Sequence, residues 1–257
     1  MTESTPVDSG WVRVRGRLMH ARRIGSGAPA AVCVHGAGVS SRYMTRLLGE
    51  MARVGVGGVQ AVDLPGHGLS SAWDRPLAVP AMAEALMDWM QATQVGPTAL
   101  IANSAGCQVA VDAAARWPQH ITHLVLIGPT VDPAARTVPR VVARWLRNAV
   151  HESARQLPGL LLDFRDLGPA GLLADVRSAV RDRIEDKLPL VQVPALVVRG
   201  SRDRLAPELW AEQVAALLPQ GRLLVVPGAA HVVNFTHPQL LAEVVRNFLI
   251  RRPSSAA

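Results

Sequence analysis

Ser104 lies where an apolar stretch gives way to a helical one, a junction that would expose its hydroxyl group for chemistry. The β-prone run 98–101 ends at Ala102-Asn103-Ser104-Ala105-Gly106, and a helical pattern follows over 108–117. A one-residue corner between a strand and a helix strains the backbone of the corner residue and requires small residues two positions to either side. Such strain costs about 1–3 kcal/mol and usually persists at functional sites. The pattern favours a nucleophilic serine, and a serine that only caps a helix is the alternative.

An acid and a base that could activate Ser104 also follow apolar runs. Asp203 and His231 each come shortly after a β-prone segment in the last third of the chain. In open α/β sheets, side chains at the carboxyl ends of parallel strands meet at one edge. A serine hydroxyl becomes a good nucleophile when a nearby base removes its proton, and a buried carboxylate can hold that base in the correct tautomer. We expect His231 as the base and Asp203 as the acid, with Asp132 as a rival acid.

Composition limits the classes of protein that the chain can be. Its 257 residues, of which 49% are apolar and 18% charged, suffice for one large α/β domain with an inserted subdomain. Arginine supplies nearly all of the positive charge behind the net +7, and the arginines are scattered, with no run longer than two. A nucleic-acid footprint would be clustered, and no apolar run reaches the roughly 18 residues of a membrane span. We therefore expect a cytoplasmic protein with neither nucleic acid nor a membrane as partner.

Strand and helix patterns alternate along most of the chain. Repeated β-α units of this length predict an α/β fold, a mainly parallel twisted sheet flanked by helices. The patterns predict strands at 11–14, 18–22, 30–34, 59–62, 98–101, 124–127, 195–198 and 222–226, and helices at 40–54, 80–90, 108–117, 208–217 and 238–249. Residues 1–10 are expected to form a loose tail and residues 253–257 a disordered one.

The alternation lapses between residues 130 and 189. A structureless loop of this length is implausible in a compact domain, so we expect a helical insertion. Its helices are predicted to be broken at Pro133, Pro139, Pro158-Gly159 and Gly168-Pro169. The predicted organisation is a core of residues 1–129 and 190–252 with a helical cap at 130–189.

Together these features resemble the α/β-hydrolase superfamily over nearly the whole chain. Each motif is weak singly, but five of them fall in the order of the family. They are His35-Gly36, Asp63-Leu64-Pro65-Gly66-His67-Gly68, the A-x-S-x-G nucleophile elbow around Ser104, Gly200-x-x-Asp203, and His231. By this resemblance, residues 130–189 are the cap that follows the sixth strand of the family's sheet.

The resemblance implies roles for individual residues. Ser104, Asp203 and His231 would form the catalytic triad, and the backbone N–H groups of Ala37 and Ala105 would form the oxyanion hole. The expected activity is that of a serine hydrolase that cleaves an ester, lactone or thioester of a small organic molecule through an acyl-enzyme on Ser104.

Two alternatives remain open from the sequence. Asn103-Ser104-Ala105-Gly106 looks somewhat like the N-S-M-G elbow of carbon–carbon bond hydrolases. However, Ala105 replaces the methionine, and Val232 follows His231 where that family often has tryptophan. The other alternative is a catalytically silent, ligand-binding member of the fold, against which the intact Ser, Asp and His residues argue.

The cap is expected to line the substrate pocket. Its apolar candidates include Trp145 and Phe164, and Arg144 could meet a substrate carboxylate or phosphate, although a solvated arginine is the simpler interpretation. No cofactor and no metal are expected, because no two His or Cys residues show ligand spacing on a common element. His35 and His67 are interpreted as residues that hold loops. The remaining histidines are predicted to be surface or capping residues: His20, His120, His123, His151 and His237.

Overall fold

The computed structural model describes residues 6–250, which form an eight-stranded sheet with helices on both faces. The strands follow one another in space as β1-β2-β4-β3-β5-β6-β7-β8. Pairs from β4 through β8 are parallel, whereas β1 pairs with β2, and β2 with β4, in the antiparallel sense. The strands are β1 (Asp8–Val14), β2 (Arg17–Ile24), β3 (Ala31–Val34), β4 (Val59–Val62), β5 (Thr98–Asn103), β6 (Ile121–Ile127), β7 (Ala195–Gly200) and β8 (Gly221–Val226). The predicted fold class is confirmed.

Helices cover the sheet because its central strands are apolar on both faces. Every residue of β3, β5 and β7 is buried, as expected for parallel strands between two helical layers. The core helices are α1 (Thr45–Arg53), α2 (Val79–Ala92), α3 (Gly106–Arg116), α7 (Glu208–Leu217), α8 (Val233–Thr236) and α9 (Pro238–Ile250). Helices α2, α3 and α7 pack into one apolar cluster, and α1 and α9 pack into a second on the opposite face.

Residues 130–189 form the helical pieces between β6 and β7. They contain α4 (Val138–Ala149), α5 (Leu157–Arg181) and α6 (Ile184–Lys187). Pro139 and Pro158 lie in the first turns of α4 and α5 and so begin helices, where the sequence had predicted breaks. The first turn of a helix tolerates proline because a backbone N–H at that position would have no acceptor within the helix, so its absence costs nothing. Only Gly168, at φ 71°, interrupts helical geometry inside α5, immediately before Pro169.

Two expectations about the first strands are wrong. The tail predicted for residues 1–10 is shorter, because β1 already begins at Asp8 and pairs with β2. His20, predicted at the surface, is fully buried, and its Nδ1 lies 2.8 Å from Oδ2 of Asp63. The cause is contact with the loop after β4 and with β1: besides Asp63, Oγ of Ser70 accepts the N–H of His20 at 2.8 Å, and the ring of Trp11 packs against the imidazole with centroids 4.9 Å apart. The predicted disordered tail, 253–257, lies outside the described residues.

Gly106 marks the tightest contact between the sheet and α3. A Cβ added there would lie 2.8 Å from the carbonyl oxygen of Val34 and closer still to that of His35. We therefore expect Gly106→Ala to lower the free energy of unfolding by about 1–3 kcal/mol, as overpacking does elsewhere, which chemical denaturation measures. The matched control is Gly49→Ala in α1, where nothing lies within 4 Å of the added Cβ. That variant should gain about 0.5–1 kcal/mol, and equal losses in both would contradict the steric explanation.

Candidate active site

Ser104 occupies the corner between β5 and α3 in a left-handed backbone conformation. Its φ is +56°, a value that few residues with a side chain adopt. Its N–H donates to the carbonyl oxygen of Ile127 at 2.9 Å, which fixes the corner to β6. Gly36 approaches from the neighbouring loop so closely that a Cβ there would lie 2.9 Å from that of Ser104. The small residues of the motif therefore allow β3, β5 and α3 to meet around this serine.

Asp203 and His231 form a buried hydrogen-bonded pair. Nδ1 of His231 lies 2.8 Å from Oδ2 of Asp203, and the second carboxylate oxygen accepts N–H groups from Leu205 at 2.8 Å and Ala206 at 2.9 Å. Asp203 is only 1% exposed. Gly128 lies against the imidazole, so that a Cβ there would be 2.7 Å from Nδ1. These contacts hold the ring with Nε2 directed away from the carboxylate.

The surroundings of His231 favour its protonated form. Burial acts to lower the pKa of His231, but the charge of Asp203, its hydrogen bond and the charge of Glu152 together raise this pKa above its ordinary value. Nε2 is buried and has no hydrogen-bond partner among residues 6–250. In His231, Nδ1 is therefore held by Asp203 while Nε2 has no hydrogen-bond partner among the described residues. The residue lines the same cavity as Ser104.

Ala37 and Ala105 flank Ser104 on the wall of this cavity. Ala105 is the N-cap of α3, and the partial positive charge of a helix N-terminus favours an anion nearby. Ala37 follows His35 and Gly36 in the loop after β3. His35 holds that loop: its Nε2 accepts the N–H of Leu64 at 3.0 Å, and burial, together with the nearby charge of His67, lowers the pKa of His35 to about 4.

Two aspartates of α5 hold the same loop from the other side, and sequence reasoning missed both. Asp175 accepts the N–H of Gly38 at 3.0 Å and lies 2.8 Å from Nε2 of His67. Asp163, which is buried, accepts both the N–H and the hydroxyl group of Ser40, at 3.0 and 2.7 Å. The sequence shows only that carboxylates occur among the apolar and charged residues of this helix, and this does not identify their partners.

A cavity of about 570 Å³ opens over Ser104 and His231 and is walled mainly by residues 130–189. Trp145 and Phe164 both line it, with ring centres 6.3 Å apart. Arg144 lines it as well, but Nη1 of Arg144 lies 2.6 Å from Oδ2 of Asp132. The rival acid is therefore engaged with an arginine, and the acid beside His231 is Asp203.

Comparison with known proteins agrees with this architecture. Residues 31–244 match the model of a family described as "Alpha/beta hydrolase family". The chain belongs to the alpha/beta hydrolase family. The resemblance predicted from the sequence is confirmed, and so is the prediction of a hydrolase.

Two curated relatives of this hydrolase are named after ester and biotin chemistry. A "Pimeloyl-[acyl-carrier protein] methyl ester esterase" of Xanthomonas oryzae pv. oryzae is 27% identical over 91% of this chain and 100% of the relative. The "Biotin biosynthesis bifunctional protein BioHC" of Cellvibrio japonicus is 28% identical over 86% of this chain. The match spans 47% of that longer protein, somewhat less than half its length.

Solved structures share the fold of this hydrolase. The enol-lactonase of Burkholderia xenovorans LB400 superimposes with a TM-score of 0.78 at 20% identity, over 94% of this chain and 100% of that one.

Within residues 6–250, no helix has the length and apolar character to cross a bilayer, and no group of three or more His, Cys, Asp or Glu side chains is arranged to hold a metal ion.

The hydrogen bond between Asp203 and His231 predicts a titration that NMR can follow. In the wild type, the imidazole of His231 should titrate above its ordinary pKa of 6.5. In Asp203→Asn the charge is lost while burial remains, so the pKa of His231 should fall below that of the wild type. Asp132→Asn is the matched control, since Asp132 pairs with Arg144. A larger shift in Asp132→Asn than in Asp203→Asn would contradict this assignment.

Proposed function

We propose that this hydrolase cleaves a carboxylic ester of a small organic molecule through an acyl-enzyme on Ser104. One observation carries the proposal: His231 has Nδ1 held by the buried Asp203 and Nε2 without a partner among residues 6–250, in the cavity that Ser104 lines. This is the arrangement of a general base beside a nucleophile. The expected triad of Ser104, Asp203 and His231 is therefore the catalytic set that we propose.

The proposed reaction has two halves. Oγ of Ser104 attacks the ester carbonyl carbon while its proton passes to Nε2 of His231, and the Ala37 and Ala105 N–H groups stabilise the oxyanion. Each such donor is worth about 2.7–4 kcal/mol in other enzymes. Collapse breaks the C–O bond, and His231 gives its proton to the departing alkoxide, so that an alcohol leaves. Water, activated by the same histidine, then releases the carboxylic acid. Asp203 holds the tautomer of His231 throughout.

The cavity wall supports an ester with an apolar acyl chain. The volume falls in the range of small-molecule pockets. Residues 130–189 would act as a cap that excludes water and selects substrates by the length of their acyl chain. The apolar side chains larger than alanine that they contribute to the wall are Val131, Val138, Val141, Val142, Trp145, Leu157, Leu160, Phe164, Leu172, Leu173 and Val176. The names of the curated relatives, which include methyl ester esterases, support an ester above other acyl compounds.

No feature of the site favours the two alternatives from the sequence. The Asn103 side chain donates to the carbonyl oxygen of Ile127 at 3.1 Å and so fixes the elbow. Ala105 and Val232 stand where carbon–carbon bond hydrolases carry larger side chains. A silent, ligand-binding protein would have no need for the free Nε2 of His231. Lactones and thioesters react through the same acyl-enzyme and belong in the substrate panel.

Ser104→Ala tests the nucleophile. Wild-type protein should turn over members of a panel of p-nitrophenyl esters, lactones and acyl thioesters, and it should be labelled by a fluorophosphonate. The variant should fold normally and lose both properties, because removing a triad member costs on the order of 10⁶ in kcat. Ser26→Ala, at an exposed serine between β2 and β3 and outside the cavity lining, serves as the control. Activity above a few per cent in Ser104→Ala would exclude it as the nucleophile.

Trp145→Ala tests the cap. Removing the indole enlarges the cavity near Phe164, so the ratio of kcat/KM for long and short acyl chains should rise by about tenfold, the effect of roughly 1–3 kcal/mol per methylene in an apolar pocket. Labelling by a small fluorophosphonate should change little. Trp117→Ala, outside the cavity lining, is the matched control. An unchanged chain-length ratio in Trp145→Ala would show that residues 130–189 do not set specificity.

A further inference from the structure

A chain of hydrogen bonds outside the proposed triad links the loop of the acid to the base. The side-chain carbonyl oxygen of Asn148 accepts the N–H of Arg204, the residue after Asp203, at 3.0 Å. The amide nitrogen of the same side chain donates to Oε1 of Glu152 at 2.7 Å, and Oε1 also accepts the backbone N–H of His231 at 2.8 Å. We call these three bonds the Asn148–Glu152 bridge. It connects the C-terminal end of α4 to the loops that follow β7 and β8.

The bridge is largely shielded from water. Asn148 is 3% exposed although it lies on a helix whose other residues are exposed or half-buried. Glu152 lies one turn further along, past the end of α4, and burial, the largest influence on it, raises the pKa of its carboxyl group. A polar side chain placed this deep loses hydration, which it must recover through specific partners. Here the partners are the two loops that carry Asp203 and His231.

We propose that Asn148 and Glu152 are positioning residues that set the Asp203 loop and His231 in register for proton transfer. The inference rests on the proposed function of the triad and adds a role for residues 130–189. The segment that walls the substrate cavity also holds the backbone of the base. Asp203 constrains the imidazole through Nδ1, and Glu152 constrains the main chain of the same residue through its N–H.

Positioning of this kind matters because proton transfer depends steeply on geometry. The free Nε2 must come within about 2.6–3.2 Å of the serine oxygen, and an error of about 1 Å in an active site can cost 10²-fold in rate. His231 lies two residues before α8, in a segment outside regular secondary structure. The hydrogen bond from its N–H to Glu152 therefore restrains the backbone from which the imidazole extends. Loss of that bond would leave the position of the ring to the Asp203 hydrogen bond and to packing against Gly128.

The test compares three variants of the bridge in steady-state hydrolysis of a p-nitrophenyl ester from pH 5 to 9. Glu152→Ala should lower kcat by about 10- to 100-fold with a change in KM below about threefold. Glu152→Gln keeps an oxygen that can accept both N–H groups, so it should recover kcat to within about threefold of the wild type. Its acidic limb should move to lower pH by at least about 0.3 unit, because a negative charge near His231 is removed. Asn148→Ala should lower kcat by about tenfold.

Two further measurements separate a shared bridge from unrelated contacts. The double variant Asn148→Ala/Glu152→Ala should lose no more activity than Glu152→Ala alone, since both changes break one unit. Glu185→Ala is the matched control: it removes a glutamate from residues 130–189 that pairs with Arg136 and lies outside the cavity lining, and it should leave kcat unchanged. Wild-type kcat in Glu152→Ala, or equal losses in Glu152→Ala and Glu152→Gln, would overturn the proposal.

An NMR titration keeps the test independent of activity and of the alanine variants' folding. The pKa of the His231 imidazole should be lower in Glu152→Gln than in the wild type, and the same difference should appear on a Ser104→Ala background. An unchanged titration would show that no Glu152 charge lies against His231 and would overturn the proposal, even if Ser104→Ala is inactive. If Ser104→Ala instead retains activity while the titration moves as expected, the proposed function fails and the contact between Glu152 and His231 stands.

Discussion

A serine held at positive φ between a strand and a helix is the constraint on which the surrounding packing depends. Ser104 reaches φ +56° at a cost of about 1–3 kcal/mol, and the elements that touch it carry no side chain at the points of contact. Gly36 meets it from the β3 loop, and Gly106 lets α3 close onto the backbone of Val34 and His35. With the corner fixed, Ser104 lines the same cavity as His231, at the end of the sheet where the loops after β7 and β8 carry Asp203 and His231.

The polar groups of residues 130–189 follow from the same requirement. The helices of this segment place apolar side chains over the cavity. Their buried polar side chains need hydrogen-bond partners, because an unpaired buried polar group costs about 1–3 kcal/mol. The partners are the backbones of the loops below. Asp163 and Asp175 hold the loop that carries Ala37, whereas Asn148 and Glu152 hold the loops of Asp203 and His231. The segment 130–189 therefore both lines the cavity and supports the loops around it.

Sequence patterns predicted the elements and missed the long-range polar contacts, for physical reasons. Apolar runs in the central strands and the small residues around Ser104 report local requirements, so the fold class followed directly from them. His20 was misplaced because its burial depends on contacts with Asp63 and Ser70, which lie 43 and 50 positions away in the sequence. Asp175 meets Gly38 across 137 positions of sequence, and Glu152 meets His231 across 79. No periodicity or motif joins residues that are so distant, and only the packed structure brings them together.

Electrostatics of the cavity wall argue against the anionic substrate that Arg144 suggested. Its guanidinium lies 2.6 Å from the Asp132 carboxylate, and this pair is mostly shielded from solvent. The other ionisable side chains on the wall are Tyr43, Glu152 and His231. With His231 neutral, as the proposed base must be before it accepts a proton, the wall carries no net positive charge whether Glu152 is protonated or ionised. A carboxylate or phosphate entering the cavity would lose its hydration without an unpaired cation to replace it. The neutral, apolar acyl chain of the proposed substrate therefore fits both the aliphatic side chains of the wall and its charges.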